Sequence, residues 1–475
     1  MSTRLPGLRR LTTVRVAVGT VITAAAVAAG AALVALPLPT HTDDSALSIA
    51  AHAPATASIA TCVGPVLAPG RDATRAAQLT DAAPAALTSA ALSKATPTDA
   101  ATSTLAAPDV TGGTGPTALR AAPVGGQPAE IAAATSAQVS ADDLSGFAAS
   151  SCARPEMESW LVGGSGGTGA SDLVVLENPG VVAARVTITV YGASGGAVPV
   201  AGNAIVVAAG TQRIIPLASL ALREDNPVLR VTSAQAPIRA ALQTSLTRVL
   251  VAGGVDQVGA AAVPDTDLVI PGVPVVTAQG GAGESNAPTS LRLLSPGADA
   301  QATVTVVRDG AAVGAPQAVP LKAGVPLKLD LGGLATGTYA VRVSATAPVT
   351  GAAWATSGFA AGSDFGWFVA ADAISAPALV AVAAGAAPTM TIVSSTGEPQ
   401  TVVLTAASGT GAKTDISVPG GGAVTVSVQA GDVYRLDPGT GSVRAAITYA
   451  GAGAIAGYPV APSAAAASAV TVYPR

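Results

Sequence analysis

At 475 residues and a net charge of −4, the chain is long enough for several domains and lacks the basic excess that nucleic-acid binding requires. Only 11% of the residues are charged and 3% aromatic, while 53 are glycine and 35 proline. Valine and threonine alternate between closely spaced Gly and Pro turns, which excludes a helix bundle and points to many short strands.

The N-terminus carries the first definite element. Arg4, Arg9, Arg10 and Arg15 precede an uncharged run from Val16 to Leu36. The run is long enough to cross a bilayer as a helix. Positive charge before it and none just after it places the N-terminus inside and the body outside. The expected order is a basic cytoplasmic tail (1–15), a transmembrane signal-anchor helix (16–36) and a flexible, disordered Ala/Pro/Ser/Thr stalk (37–57), making a single-pass protein of the cell membrane. A cleaved signal peptide is the alternative. The length of the apolar run, Pro37 and Pro39 where cleavage would fall, and Pro54 directly after Ala51-His52-Ala53 all oppose it.

Residues 58–150 contain Cys62 and lead to Cys152, the only other cysteine. In an exported chain a lone pair is expected to form one disulfide, with free thiols as the alternative. Between Arg71 and Asp143 the Ala/Thr/Ser/Pro composition has no sustained apolar period, so disorder or weak order is expected.

From Ser151 onward the sequence repeats itself. "LVVLENPGVVAARVTITVYG" from Leu173, "LRLLSPGADAQATVTVVRDG" from Leu291 and "MTIVSSTGEPQTVVLTAASG" from Met390 each read as a short apolar strand, a turn and an alternating strand. Later counterparts are "VLRVTSAQAPIRAALQTS" from Val228, "TYAVRVSATAPVTGAAWATS" from Thr338 and "VYRLDPGTGSVRAAITYA" from Val433. The period of roughly 100–120 residues is the size of one β-sandwich domain and too long for a propeller blade. The expected fold is all-β, with three tandem Ig-like sandwich units at 151–273, 274–382 and 383–475. Strand alternation buries Val186, Ile188 and Val190 on one face. Which unit owns the short apolar strand at each boundary stays open.

The string "CARPEMESWLVGGSGGTGASDLVVLENPGVVAARVTITVYG", with "AAGTQR" at Ala208, "APIRAALQTS" and "SDFGWFVAA", resembles an actinobacterial group of membrane-anchored exported proteins classified as a domain of unknown function. The resemblance runs from about Ile59 to the C-terminus. It implies an extracytoplasmic β-rich protein with one membrane anchor and a cell-envelope setting, and it supplies no activity.

Candidate chemistry is sparse. Gly164, Gly166 and Gly169 have the spacing of a dinucleotide fingerprint, but "ASDLVVLENPG" after them reads as a strand and a turn, not the helix such a site needs. No cofactor is expected. The only histidines, His41 and His52, lie in the stalk, so the body has no Ser-His-Asp triad and no histidine-ligated metal. Glu156 with Glu158 and Asp265 with Asp267 are close in sequence, and Asp256 with the second pair offers oxygen ligands for calcium. Solvated surface charge is the simpler reading of each, and no catalytic or metal-binding residue is assigned. Phe365, Trp367 and Phe368 form the densest aromatic stretch: core filling is expected, with a ligand-binding surface as the functional alternative. The resulting expectation is a non-catalytic structural or interaction protein of the envelope, with a protein or glycan partner. A carbohydrate-binding accessory protein and a carboxylate-dependent hydrolase are the alternatives.

Overall fold

The computed structural model describes residues 8–35, 49–51, 55–70, 78–93, 96–248, 251–278, 287–407, 411–451, 453–463 and 470–472. The chain divides into two compact units, Met1–Ala53 with Ser468–Arg475, and Pro54–Ala467. The first holds a helix, Leu8–Ala35, whose Val14–Ala32 stretch is apolar enough to span a membrane. The helix starts upstream of Val16 and takes in three of the four arginines. The same unit contains a short antiparallel pair, Ile49–Ala51 with Val470–Val472. Part of the expected stalk is therefore a strand, and the closing strand of the chain pairs there instead of within the third repeat. The rest of residues 37–54 lies outside the described residues.

The second unit is all-β, and its strand pairing explains the sequence repeat. Leu173–Asn178 lies between Thr211–Pro216 and Arg239–Arg248. Thr289–Leu294 lies between Leu327–Asp330 and the second half of Gly337–Thr356. Thr389–Ser394 lies between Ala423–Ser427 and Val443–Gly451. In each repeat a second sheet pairs the alternating strand with the next: Ala184–Gly192 with Val228–Ala234, Ala300–Arg308 with the first half of Gly337–Thr356, and Gln400–Ala406 with Val433–Asp437. Val186, Ile188 and Val190 are buried as their alternation requires, packed with Val174 and Leu176 of the opposite sheet. The boundary strands Glu158–Val162, Asp265–Val275 and Ala378–Ala381 each pair into the repeat that follows them.

Disorder or weak order is expected between Arg71 and Asp143, but residues 78–93 and 96–151 form strands and their connections, while residues 71–77 and 94–95 lie outside the described residues. Strands Ala86–Ser93, Glu130–Ser140 and Ser145–Ser151 of this segment form one sheet with Thr96–Thr98. Its small side chains do not build an apolar period of their own because the volume beside them comes from elsewhere. Leu92, Ala132, Ala134, Phe147 and Ala149 share a core with Met390, Ile392 and Tyr449 of the third repeat. Polar side chains of the first repeat bind the backbone of residues 63–67, upstream of this segment, and of Ser151 at its end. The Gln243 amide accepts from Leu67 N at 2.8 Å and donates to Leu67 O at 2.7 Å, as a neighbouring strand would. Gln212 and Gln257 donate to the carbonyls of Val63 and Gly64. Arg239, in a buried ion pair with Glu177 at 3.3 Å, also donates to Ser151 O. Cys62 and Cys152 form the expected disulfide, with a sequence separation of 90.

This segment supplies a fourth copy of one hairpin. Glu130–Ser140 with Ser145–Ser151 (β1), Arg239–Arg248 with Val251–Val258 (β2), Gly337–Thr356 with Phe365–Val369 (β3) and Val443–Gly451 with Ala454–Pro459 (β4) are antiparallel pairs, and each second strand lies at the edge of its sheet. These edge strands close a ring: β1 and β3 each pack against both β2 and β4. Each sends a side chain into the next core. Phe147 of β1 enters that of the third repeat. Val255 of β2 joins Val66, Val139 and Ala148 of the N-terminal segment. Phe365 and Trp367 of β3 enter the core of the first repeat, and Ile455 of β4 that of the second. The repeats are thus interlocked, not strung in a row.

Asp364, immediately before β3, sits where the strands meet and is fully buried. Its carboxylate accepts N–H groups from Phe147 at 2.9 Å, Val255 at 3.3 Å and Ile455 at 3.1 Å, one from each of the other three edge strands. Gly146 and Gly254 have φ of +146° and +123°, and a Cβ at either would meet this carboxylate.

Two outcomes are expected. Asp364→Ala leaves buried N–H groups without an acceptor at about 1–3 kcal/mol each, so the denaturant midpoint should fall by the equivalent of at least about 3 kcal/mol. An unchanged midpoint would show that the carboxylate does not hold the ring. Replacing both cysteines by serine should cost about 2–5 kcal/mol in the same measurement, and the wild-type protein should lose a similar amount in reductant.

Candidate functional site

A pocket of about 360 Å³ between the first two repeats brings polar groups and aromatic rings together. Its floor begins with the glycine-rich loop that joins Glu158–Val162 to Leu173–Asn178. The loop runs from strand to strand, so no helix opens on Gly169 and the phosphate-binding arrangement suggested by the spacing is not built. The glycines serve close packing. Gly166 exchanges backbone bonds with Glu224 O and Arg223 N, and a Cβ there would collide with the Ala221 carbonyl. Asp172 ends the loop: its two oxygens accept Ser165 N at 2.6 Å and Ser245 N at 2.8 Å. Burial pushes this carboxyl up to about 7 despite those bonds.

The opposite wall is Arg292, from Thr289–Leu294. It is buried and donates to Gly164 O at 2.9 Å, Pro227 O at 2.8 Å, Asp225 O at 3.2 Å and Asn226 Oδ1 at 3.4 Å. Its guanidinium lies 4.5 Å from the centre of the Trp367 ring. Burial lowers its pKa to about 9, which leaves it charged at neutral pH. Arg292 Nε and Thr244 Oγ1, both buried, have no hydrogen-bond partner among the described residues. Trp354, Phe365 and Trp367 form the apolar side, and Lys328, half-exposed and 3.5 Å from Asp330, stands at the mouth.

Phe365, Trp367 and Phe368 are 3%, 7% and 2% exposed, so they form no open aromatic platform. Phe365 and Trp367 face the first repeat and the pocket, whereas Phe368 points into the second core. The carbohydrate-binding alternative loses its main support. Trp160 is also core, stacked on Tyr191 at 5.7 Å. The acidic pairs fall elsewhere. Glu158 accepts from Arg230 at 2.6 Å and from Trp160 Nε1 at 2.9 Å, and the arginine holds its pKa below the usual range. Glu156 pairs with Arg154, and Asp267 with Arg444 and Arg342. Asp256 is fully buried and accepts Trp367 N at 2.7 Å, while Asp265 is exposed. No group of three acidic, His or Cys side chains suited to a metal occurs among the described residues.

Asp172, Arg292, Thr244 and Lys328 were not singled out by sequence. The available signal is a charged residue on an otherwise apolar strand, as in "SLRLLS" and "SDLVVL". Asp172 and Asp364 are both pushed up to about 7, mainly by burial, from ordinary unfolded values near ~4. The folded state then binds protons more readily than the unfolded one, and stability is lost as pH rises through 7. Thermal melts should show a higher midpoint at pH 5.5 than at pH 8.5, with the difference reduced in Asp172→Asn; a flat profile would exclude the linkage.

No curated protein matches this chain. One family model does, over residues 107–429, which include every residue lining the pocket. The chain belongs to that family, a family of unknown function (DUF5719).

Proposed function

We propose that this is a non-catalytic structural or interaction protein of the cell envelope, held at the membrane by its N-terminal helix with the β-body outside. The observation that carries this reading is the role of the buried charge in the body. The Asp364 carboxylate, the Asp172 carboxylate and the Arg292 guanidinium are each bonded to backbone groups that join separate strands or loops. Glu177 and Arg239 likewise tie the N-terminal segment to the first repeat. Such a body is suited to presenting a rigid surface. The basic residues ahead of the apolar helix support the anchored orientation.

The reading is tested by cross-linking intact envelopes that contain the tagged full chain and identifying what co-purifies. Enrichment of a defined envelope protein over a control anchor is the expected result; no enrichment over that control would count against it. N-terminal analysis of the same material should find residues 1–36 retained and membrane-bound, whereas their absence would replace the anchor with a cleaved signal.

A further inference from the structure

We infer that the pocket between the first two repeats binds a small acid, with a flat apolar body against the aromatic wall and its carboxylate toward Arg292, Thr244 and Lys328. This goes beyond the scaffold reading and does not depend on its partner. The acceptors already on Arg292 are all uncharged oxygens: the carbonyls of Gly164, Asp225 and Pro227 and the Asn226 amide. No ion pair of Arg292 occurs among the described residues, although Asp172, Glu224 and Asp225 are close enough to favour its charged form. Asp172 is engaged by two backbone N–H groups.

A buried cation satisfied only by neutral oxygens gains most from an anion, and an anion on a guanidinium makes the stronger, charge-assisted hydrogen bond. Two donors without partners, Arg292 Nε and Thr244 Oγ1, belong to residues that line this pocket. Unpartnered buried atoms also occur outside this pocket, at Arg239 Nε and Thr289 Oγ1 for example, but here two of them belong to residues lining one cavity. Lys328 adds a second positive charge at the mouth, where a ligand enters. Trp354 and Phe365 supply flat apolar surface. The volume of about 360 Å³ lies at the small end of small-molecule sites, which selects a compact ligand of one or two rings.

The test uses the full chain in detergent with 2-naphthoate and its neutral amide, 2-naphthamide, as probes, followed by calorimetry and probe fluorescence. Saturable 1:1 binding of the acid, at least about ten-fold tighter than the amide, is expected from a charge-assisted contact. Lys328→Gln and Thr244→Val should each weaken the acid several-fold while leaving the melting temperature unchanged, since Lys328 is at the rim and valine matches threonine in shape. Equal affinity for acid and amide would overturn the inference by reducing the pocket to an apolar cleft. So would an absence of saturable binding, or wild-type affinity in both variants.

Discussion

The buried carboxylate of Asp364 is the contact on which the arrangement of the body depends. A desolvated carboxylate is tolerated only when hydrogen bonds surround it, and its donors come from Phe147, Val255 and Ile455 on three different hairpins. Those donors converge only when all four hairpins are in place. One charged group therefore links local order in each repeat to the assembly of the whole ring. Gly146 and Gly254 permit this, because a side chain at either position would occupy the carboxylate's place.

The ring also resolves a difficulty of composition. With 3% aromatic residues, the chain has few large side chains with which to fill separate sandwich cores. Exchange of edge-strand residues lets each ring be shared between neighbours: Phe147 fills the third repeat, and Phe365 and Trp367 fill the first. Edge strands that would otherwise present open backbone are covered by one another. The pocket is a consequence of the same exchange. Its aromatic side consists of residues the second repeat sends toward the first, and its polar side is the loop and strand ends they meet.

Much of the fold was legible in sequence. Alternation in "VTITVY", the recurring strand–turn–strand strings, the cysteine pair and the apolar N-terminal run are local signals, and the structure contains the element each predicts. Two features were not legible. The stretch between Arg71 and Asp143 reads as disorder or weak order because Ala132 and Ala134 gain their burial from Met390, Ile392 and Tyr449, far away in the chain. The fourth hairpin escaped because its likeness to the others lies in pairing and position; "LSGFAASS" and "SDFGWFVAA" share little beyond small residues and one Gly-Phe contact point. The pocket was illegible for a related reason: Asp172 ends a loop, Thr244 and Arg292 lie on two separate strands, and no spacing rule connects them.

The sequence by itself determined the all-β class, the membrane-length helix, the repeat and the disulfide, because periodicity, length and cysteine count act on each segment independently of its neighbours. Tertiary structure decided that the Ala/Thr-rich segment folds, that the repeats interlock in a ring, and that a lone aspartate and a lone arginine become a junction and a pocket wall. These depend on burial. Whether a small or charged side chain is buried is set by the strands packed over it, and those strands come from other parts of the chain.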